Sequence, residues 1–350
     1  MTNYTELLAN PIQPILTRRN VLILGALFVC LSALAIELVV ILPRVLAEWH
    51  PYDYNLYLEM GRSARQGVNP IGPRHYYPLP TVLWIFAPLS LLPDWFRLVW
   101  LIAPNFFILT LFGRRGLLLL AFTPLWYASS DAMVDGWLLL PMLWLLENRA
   151  GWAGIGAVAL LMKPQIAILT IIFALARWVW TRDWRNLGAF AGALTLFCLP
   201  AFIFDPEWMQ RMLAVLPQRA NESTALLPLL SSSLWSWWSL GLWGQIVLIA
   251  LVAVSVILFI RAWRADDRRL VAFQCLNLLF VPVLFMANSI TLAPALSRRN
   301  ELFVLVAVSL IAFALDLAAH GFGGVYVFIP LTVLYFAGRG TVSMTEARLG

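Results

Sequence analysis

Apolar runs of membrane-spanning length constrain this chain more than any other feature. The first, Val21 to Leu42, is roughly twenty residues, the length that crosses a hydrocarbon core. Others follow at Leu187 to Phe204, Leu242 to Ile260, Leu270 to Met286 and Leu302 to Leu317. Shorter runs, from Leu79 to Leu92 and from Phe96 to Phe112, lie between them. Only 12% of the 350 residues are charged, where a soluble chain carries about a quarter. The pattern therefore predicts an all-α polytopic membrane protein of about nine to eleven transmembrane helices. No polar block is long enough to fold separately, so residues 1–350 read as a single transmembrane domain. The first run exceeds a signal-peptide core and no small-residue cleavage site follows it, so it is expected to be a retained helix.

Charge sets the expected topology. The formal net charge of +6 comes almost wholly from arginine, gathered in patches such as RWVWTRDWR (177–185) and RAWRADDRR (261–269). Basic residues are held on the cytoplasmic side, and this reading leaves no call for a nucleic-acid partner. With Arg18 and Arg19 in the cytoplasm, the first helix delivers a long extracytoplasmic loop, residues 48–80, and a second extracytoplasmic segment spans 205–240. The Lys163-Pro164-Gln165 turn is then expected at the outer face or in the outer leaflet. Residues 79–112 fit either a tight hairpin or one broken crossing. The sides of Arg114, Arg115, Arg298 and Arg299 stay open. Cys30, Cys198 and Cys275 lie far apart in apolar runs, which fits neither a disulfide framework nor a metal site. Many of the 17 tryptophans, among them Trp49, Trp95, Trp178, Trp180, Trp184, Trp235, Trp237 and Trp238, sit at segment ends, where they are expected to anchor at the interface.

The chemistry concentrates in the first loop, the longest polar interruption of the chain. Asp53 stands among Trp49, Tyr52, Tyr54 and Tyr57, just beyond the first helix. A carboxylate fixed there can act as a general base towards a hydroxyl; a solvated loop acid is the plainer reading, and Glu48 and Glu59 are rivals. Arg62, Arg65, Arg74 and His75 follow, and arginine can hold phosphate oxygens bidentately. Lys163 is the only lysine of the chain, beside a helix-breaking proline between two apolar runs. It suits a phosphate contact or a side chain snorkelling to water. Asp131 and Asp135, four residues apart, fit pairing with Lys163 or Arg74, contact with sugar hydroxyls, or, for Asp135, capping of the next helix. Glu37 and Asp316 are carboxylates within apolar runs, where such groups usually face a bundle interior.

The order Asp53, Tyr57, Gly67, Asn69-Pro70, Tyr76-Tyr77-Pro78, Pro88-Leu89 and Leu92-Pro93 resembles the first-loop signature of the polyprenol-phosphate-mannose-dependent mannosyltransferases. Those enzymes have the C-type glycosyltransferase membrane fold. A second echo is Gly136 ahead of a helix, a basic turn, a glycine-containing helix and Lys163-Pro164. There the glutamine usual after the glycine is replaced by Trp137. The likeness covers the first third of the chain well and the last third only generically.

The resemblance implies a hexosyltransferase that moves a sugar, mannose or a similar hexose, from a polyprenyl-phosphate donor to an acceptor hydroxyl. Transfer would occur at the extracytoplasmic face of the cell membrane, with inversion and with Asp53 as base. The pool that would hold the donor phosphate is Arg62, Arg65, Arg74, His75 and Lys163. Tyr54, Tyr57, Tyr76 and Tyr77 would shape the sugar pocket, and Asp131 is a further contact. The expected partners are the bilayer, the lipid-linked donor and a glycan or lipid acceptor. No cofactor is expected, a divalent metal being left open. The alternative is a multi-pass transporter or lipid flippase of the cell envelope, with Glu37, Lys163 and Asp316 as a charge pathway.

Overall fold

In a computed structural model of the protein the described residues are 52–66, 86–113, 116–130, 133–204, 206–207, 209–210, 213–214, 231–264, 266–281, 284, 286–296, 298–319 and 321–339. Among them there are helices and no strands. In chain order the α-helices are α1 (Tyr52–Arg65), α2 (Phe96–Phe112), α3 (Gly116–Leu119), α4 (Thr123–Ser130), α5 (Leu139–Leu146), α6 (Trp152–Leu160), α7 (Ile168–Thr181), α8 (Trp184–Phe204), α9 (Gly241–Trp263), α10 (Arg269–Phe280), α11 (Arg299–Ala318) and α12 (Phe328–Arg339). Short 3₁₀ segments connect several of them, at Val134–Gly136, Pro164–Ile166, Leu234–Leu240, Met286–Ala295 and Gly323–Val327.

Hydrogen bonds identify a basic end of the bundle. There Trp178 donates its indole N–H to Asn148 at 2.6 Å, and the Gly151 amide donates to the Asn186 side chain at 2.7 Å. Asp266 bridges Arg177 at 2.9 Å and Arg269 at 2.7 Å. Arg268 donates to the Ala337 carbonyl, near the end of α12. The opposite end is pinned by tryptophans: Trp237 donates to Gly324 and Trp235 to Phe280. Asp316, late in α11, meets Tyr326 close to that opposite end. Since α11 runs back to back with α12, its first residues, with Arg298 and Arg299 before and at its start, lie towards the basic end. Arg114 and Arg115 lie outside the described residues.

Two stretches, Leu234–Trp263 and Arg299–Ala318, are long and apolar enough to cross a membrane. Of the other helices α8 has 21 residues, but α5 has 8, α6 has 9 and α7 has 14, so the described residues do not give the nine to eleven full crossings expected from composition. The cause is local. Asp135-Gly136 interrupts one apolar run, and Pro164, which lacks an amide hydrogen, interrupts another. The 79–112 region gives a short helical turn from Phe86, then a turn through Leu91 to Trp95, and α2. Close packing joins the half-length helices. A Cβ on Gly154 would stand 2.3 Å from the Asn186 carbonyl oxygen, and one on Gly156 2.6 Å from that of Pro141. Glycine lets α6 approach both α5 and α8 at backbone distance.

The outer face of the bundle is apolar. Ile102, Phe106, Ile172, Leu196, Ile203, Leu242, Ile249 and Ile311 are each more than half exposed. Trp95, Trp180, Trp184, Trp235 and Trp238 are exposed, whereas Trp178 is fully buried and serves as an internal donor to Asn148. Trp237 is half-buried against Phe322. Trp49 lies outside the described residues.

Candidate functional site

Three breaks in the helical pattern converge on one buried ion pair. The Val134–Gly136 turn carries Asp135, the Lys163–Ile166 turn carries Lys163, and the 286–295 segment carries Asn288. Asp135 is fully buried. Its Oδ2 accepts from the Lys163 ammonium at 2.5 Å and its Oδ1 from the Asn288 amide at 2.5 Å. Both carboxylate oxygens are thus satisfied by charge or dipole, the condition under which a buried carboxylate is tolerated. Lys163 keeps 12% of its side chain accessible, so it is the member of the trio that is not fully closed off. The capping reading of Asp135 is corrected here. The N-cap position of α5 is Leu138, which has no capping oxygen, and the Asp135 carboxylate is taken by Lys163 and Asn288 instead.

The first-loop helix α1 packs beside this pair. Tyr57, 2% exposed, stacks on Phe86 with ring centroids 4.3 Å apart. Its hydroxyl donates to Asp53 Oδ2 at 3.3 Å and accepts from the Val134 amide at 3.3 Å. Asp53 and Tyr57 are four residues apart, hence on one helix face. A single phenol therefore links the first-loop acid to the residue preceding Asp135. The contact of α1 with the 86–90 segment requires Gly61, since a Cβ there would stand 2.0 Å from the Phe86 carbonyl oxygen. Gly136 plays the same part against α2, where a Cβ would come within 2.4 Å of the Pro104 ring. Trp137, next after Gly136, lies over Trp100 and Phe107, at 4.8 and 5.3 Å between centroids.

The other expected site residues divide. Tyr54 is buried against Trp100, and burial, reinforced by the nearby Asp94 carboxylate, raises its phenol above the ordinary range. Arg62 and Arg65 are exposed, Arg65 donating to Ser90 Oγ at 3.5 Å. Glu59 is exposed too. Arg74, His75, Tyr76, Tyr77 and Asp131 lie outside the described residues, as do Glu37 and Glu48. The structure thus brings Asp53, Tyr57 and Lys163 into one neighbourhood and leaves Arg62 and Arg65 on its exposed flank.

Sequence reasoning missed four residues that build the site: Asn288, Thr291, Gln274 and Asn277. Asn277 accepts from the Leu169 amide at 3.0 Å and donates to the Gln165 carbonyl at 2.8 Å. Gln274 donates to the Ile166 carbonyl at 2.8 Å. These side chains replace the main-chain bonds that the break before α7 forfeits. Their signal in the sequence was an amide inside an apolar run, a residue type that is buried only with partners. Away from the site, Asp316 is buried in α11 and accepts from Tyr326 at 3.3 Å, while its Oδ1 meets no partner among the described residues.

Comparison of the chain with protein-family models, curated proteins and solved structures gives no match.

Proposed function

We propose that the chain is a polytopic membrane glycosyltransferase, transferring a hexose, mannose or a close relative, from a polyprenyl-phosphate donor to an acceptor hydroxyl at the extracytoplasmic face. The observation that carries this reading is the Tyr57 hydroxyl. It joins Asp53 to the turn bearing the Asp135–Lys163 pair, so an acid and a cation of opposite duties share one site.

The membrane setting rests on the exposed apolar flank and on the two long apolar helices. With the basic end in the cytoplasm, the pair lies above helices of 8, 9 and 14 residues. At 1.5 Å per residue these are about 12–21 Å long, near the middle of a core about 30 Å thick. A phosphate is costly in hydrocarbon, so in this reading the donor keeps its prenyl chain in the bilayer and its phosphate within the protein, on the side of the pair away from the basic end.

The chemistry follows from the residues. Asp53 takes the proton of the acceptor hydroxyl as its oxygen attacks the anomeric carbon from the face opposite the phosphate. The bond between that carbon and the phosphate oxygen breaks, its electron pair leaves with the polyprenyl phosphate, and the configuration inverts. Lys163 meets the charge that grows on the leaving phosphate. Tyr57 holds the base in place, and Tyr54 and Tyr57, both buried, back the sugar pocket from within the core. Arg62 and Arg65 are placed to meet the donor as it approaches.

A transporter is the second reading, favoured by one observation. Two broken segments, 163–167 and 286–295, meet at a buried ion pair in apolar surroundings, as substrate sites of transporters do. One experiment separates the two. Proteoliposomes holding the pure protein are given polyprenyl-phosphate [³H]mannose and a lipid and glycan extract. The transferase reading expects label in a product that no longer partitions with the donor. Label that crosses the bilayer still attached to the donor contradicts it and favours transport.

A further inference from the structure

The Asp135–Lys163 pair is one edge of a closed hydrogen-bonded circuit. From Asp135 the circuit passes to Asn288 at 2.5 Å. The Asn288 carbonyl accepts from the Thr291 hydroxyl at 2.7 Å, and that hydroxyl accepts from the Gln274 amide at 3.0 Å. The same amide nitrogen donates to the Ile166 carbonyl at 2.8 Å. The Ile166 amide donates to the Lys163 carbonyl at 3.0 Å, and the Lys163 ammonium returns to Asp135. Gln274 bonds both broken segments, at Ile166 and at Thr291, and it is fully buried. Its orientation is fixed, because its carbonyl oxygen accepts from Thr170 at 2.7 Å. A flipped amide would set oxygen against the Ile166 carbonyl. Gln274, Thr291, Asn288 and Asp135 are all buried, and Lys163 alone opens outward.

We infer that Gln274 is a positioning residue that acts through this circuit to hold the Lys163 ammonium where an anion can reach it. The class of anion, a lipid monophosphate ester, rests on the transferase reading; the positioning itself does not. Without Gln274 the Ile166 carbonyl and the Thr291 hydroxyl lose their shared donor. The turn that presents Lys163 is then tied to the segment that presents Asn288 through Asp135 alone. The lysine gains freedom although neither it nor its carboxylate partner has been touched.

The single lysine makes this directly observable. Biosynthetic [ε-¹³C]lysine gives one protein resonance, reporting Lys163 without any assay of turnover. The spectrum of Asp135→Asn defines the position of a released ammonium. In Gln274→Met, which keeps chain length and removes the amide, the line is expected to move from the wild-type position towards that reference. Thr291→Val, which exchanges a hydroxyl for a methyl, is expected to move it the same way by less. Ser255→Ala, which removes a buried hydroxyl of α9 bonded to Leu251, leaves the line in place. A folded Gln274→Met whose Lys163 line coincides with wild type overturns the inference, and if that variant does not fold, Thr291→Val decides in the same way. Titration with farnesyl phosphate, with farnesol as control, then tests the anion. The phosphate alone is expected to shift the wild-type line, and Gln274→Met is expected to need about tenfold more of it. A wild-type line indifferent to farnesyl phosphate contradicts the transferase reading and the anion class together, while the Gln274 effect on the free protein stands or falls separately.

Discussion

Replacing Lys163 with methionine tests the ion pair where the structure makes it asymmetric. Asp135 is fully buried, whereas Lys163 keeps 12% of its side chain accessible. Removing the ammonium therefore strands a carboxylate whose remaining hydrogen-bond partner among the described residues is Asn288. Breaking a buried pair from one side costs about 3–5 kcal/mol, because the abandoned charge has nowhere to be solvated. The converse change, Asp135→Leu, is expected to cost less, since a lysine stem can bring its ammonium towards water. In the double variant Lys163→Met/Asp135→Leu no charge is left. The residual cost is the bond that Asn288 loses with Asp135, about 1–3 kcal/mol. The double variant is thus expected to be more stable than Lys163→Met alone. Reversible unfolding in mixed micelles, read by far-ultraviolet circular dichroism over a denaturant series, gives all four corners of the cycle. If Lys163→Met lies within about 1 kcal/mol of wild type, or the double variant is the sum of the singles, the buried pair does not carry the energy assigned to it here.

Three further outcomes are expected. Gly61→Ala should separate α1 from the Phe86 segment, because its new methyl would stand 2.0 Å from a backbone carbonyl oxygen; protease cleavage within 52–66 should accelerate while α9 stays protected. Tyr57→Phe keeps the stack on Phe86 but removes the link between Asp53 and Val134, so stability should fall by about 1 kcal/mol and hexose transfer should fall with little change in donor KM. Tyr54 has its phenol raised by burial and by Asp94. Its contribution is complete below the ordinary tyrosine range and is lost as pH climbs through the raised value. Thermal midpoints measured upward from about pH 9 should therefore decline more steeply in wild type than in Tyr54→Phe, and parallel curves would refute this.

What the sequence made legible was mainly what repeats locally. The apolar runs mark α2, α8, α9 and α11 within a few residues of where they stand. The spacing of four between Asp53 and Tyr57 foreshadows their hydrogen bond, and Pro164 marks the break that presents Lys163. The partners across the break were not legible. Gln274 and Ile166 are 108 residues apart in the chain, and Asp135 and Asn288 are 153. No local pattern encodes such pairings. MANSITLAPA reads as a polar loop leading to the next span, yet it is a fully packed 3₁₀ segment whose Ala287 to Ala295 are all buried. Trp178 misled for a related reason: an indole at a helix end anchors at an interface unless an internal acceptor, here Asn148, takes its N–H.

The measurement that bears most directly on the proposed reaction compares wild type with Asp53→Asn in proteoliposomes, following [³H]mannose from its polyprenyl phosphate to an acceptor. Asparagine keeps an oxygen to accept the Tyr57 hydroxyl, so the fold and the Lys163 neighbourhood should be retained. The base is gone, and transfer should fall by about two to four orders of magnitude. Equal transfer by the two proteins would remove Asp53 from the reaction and with it the mechanism proposed here.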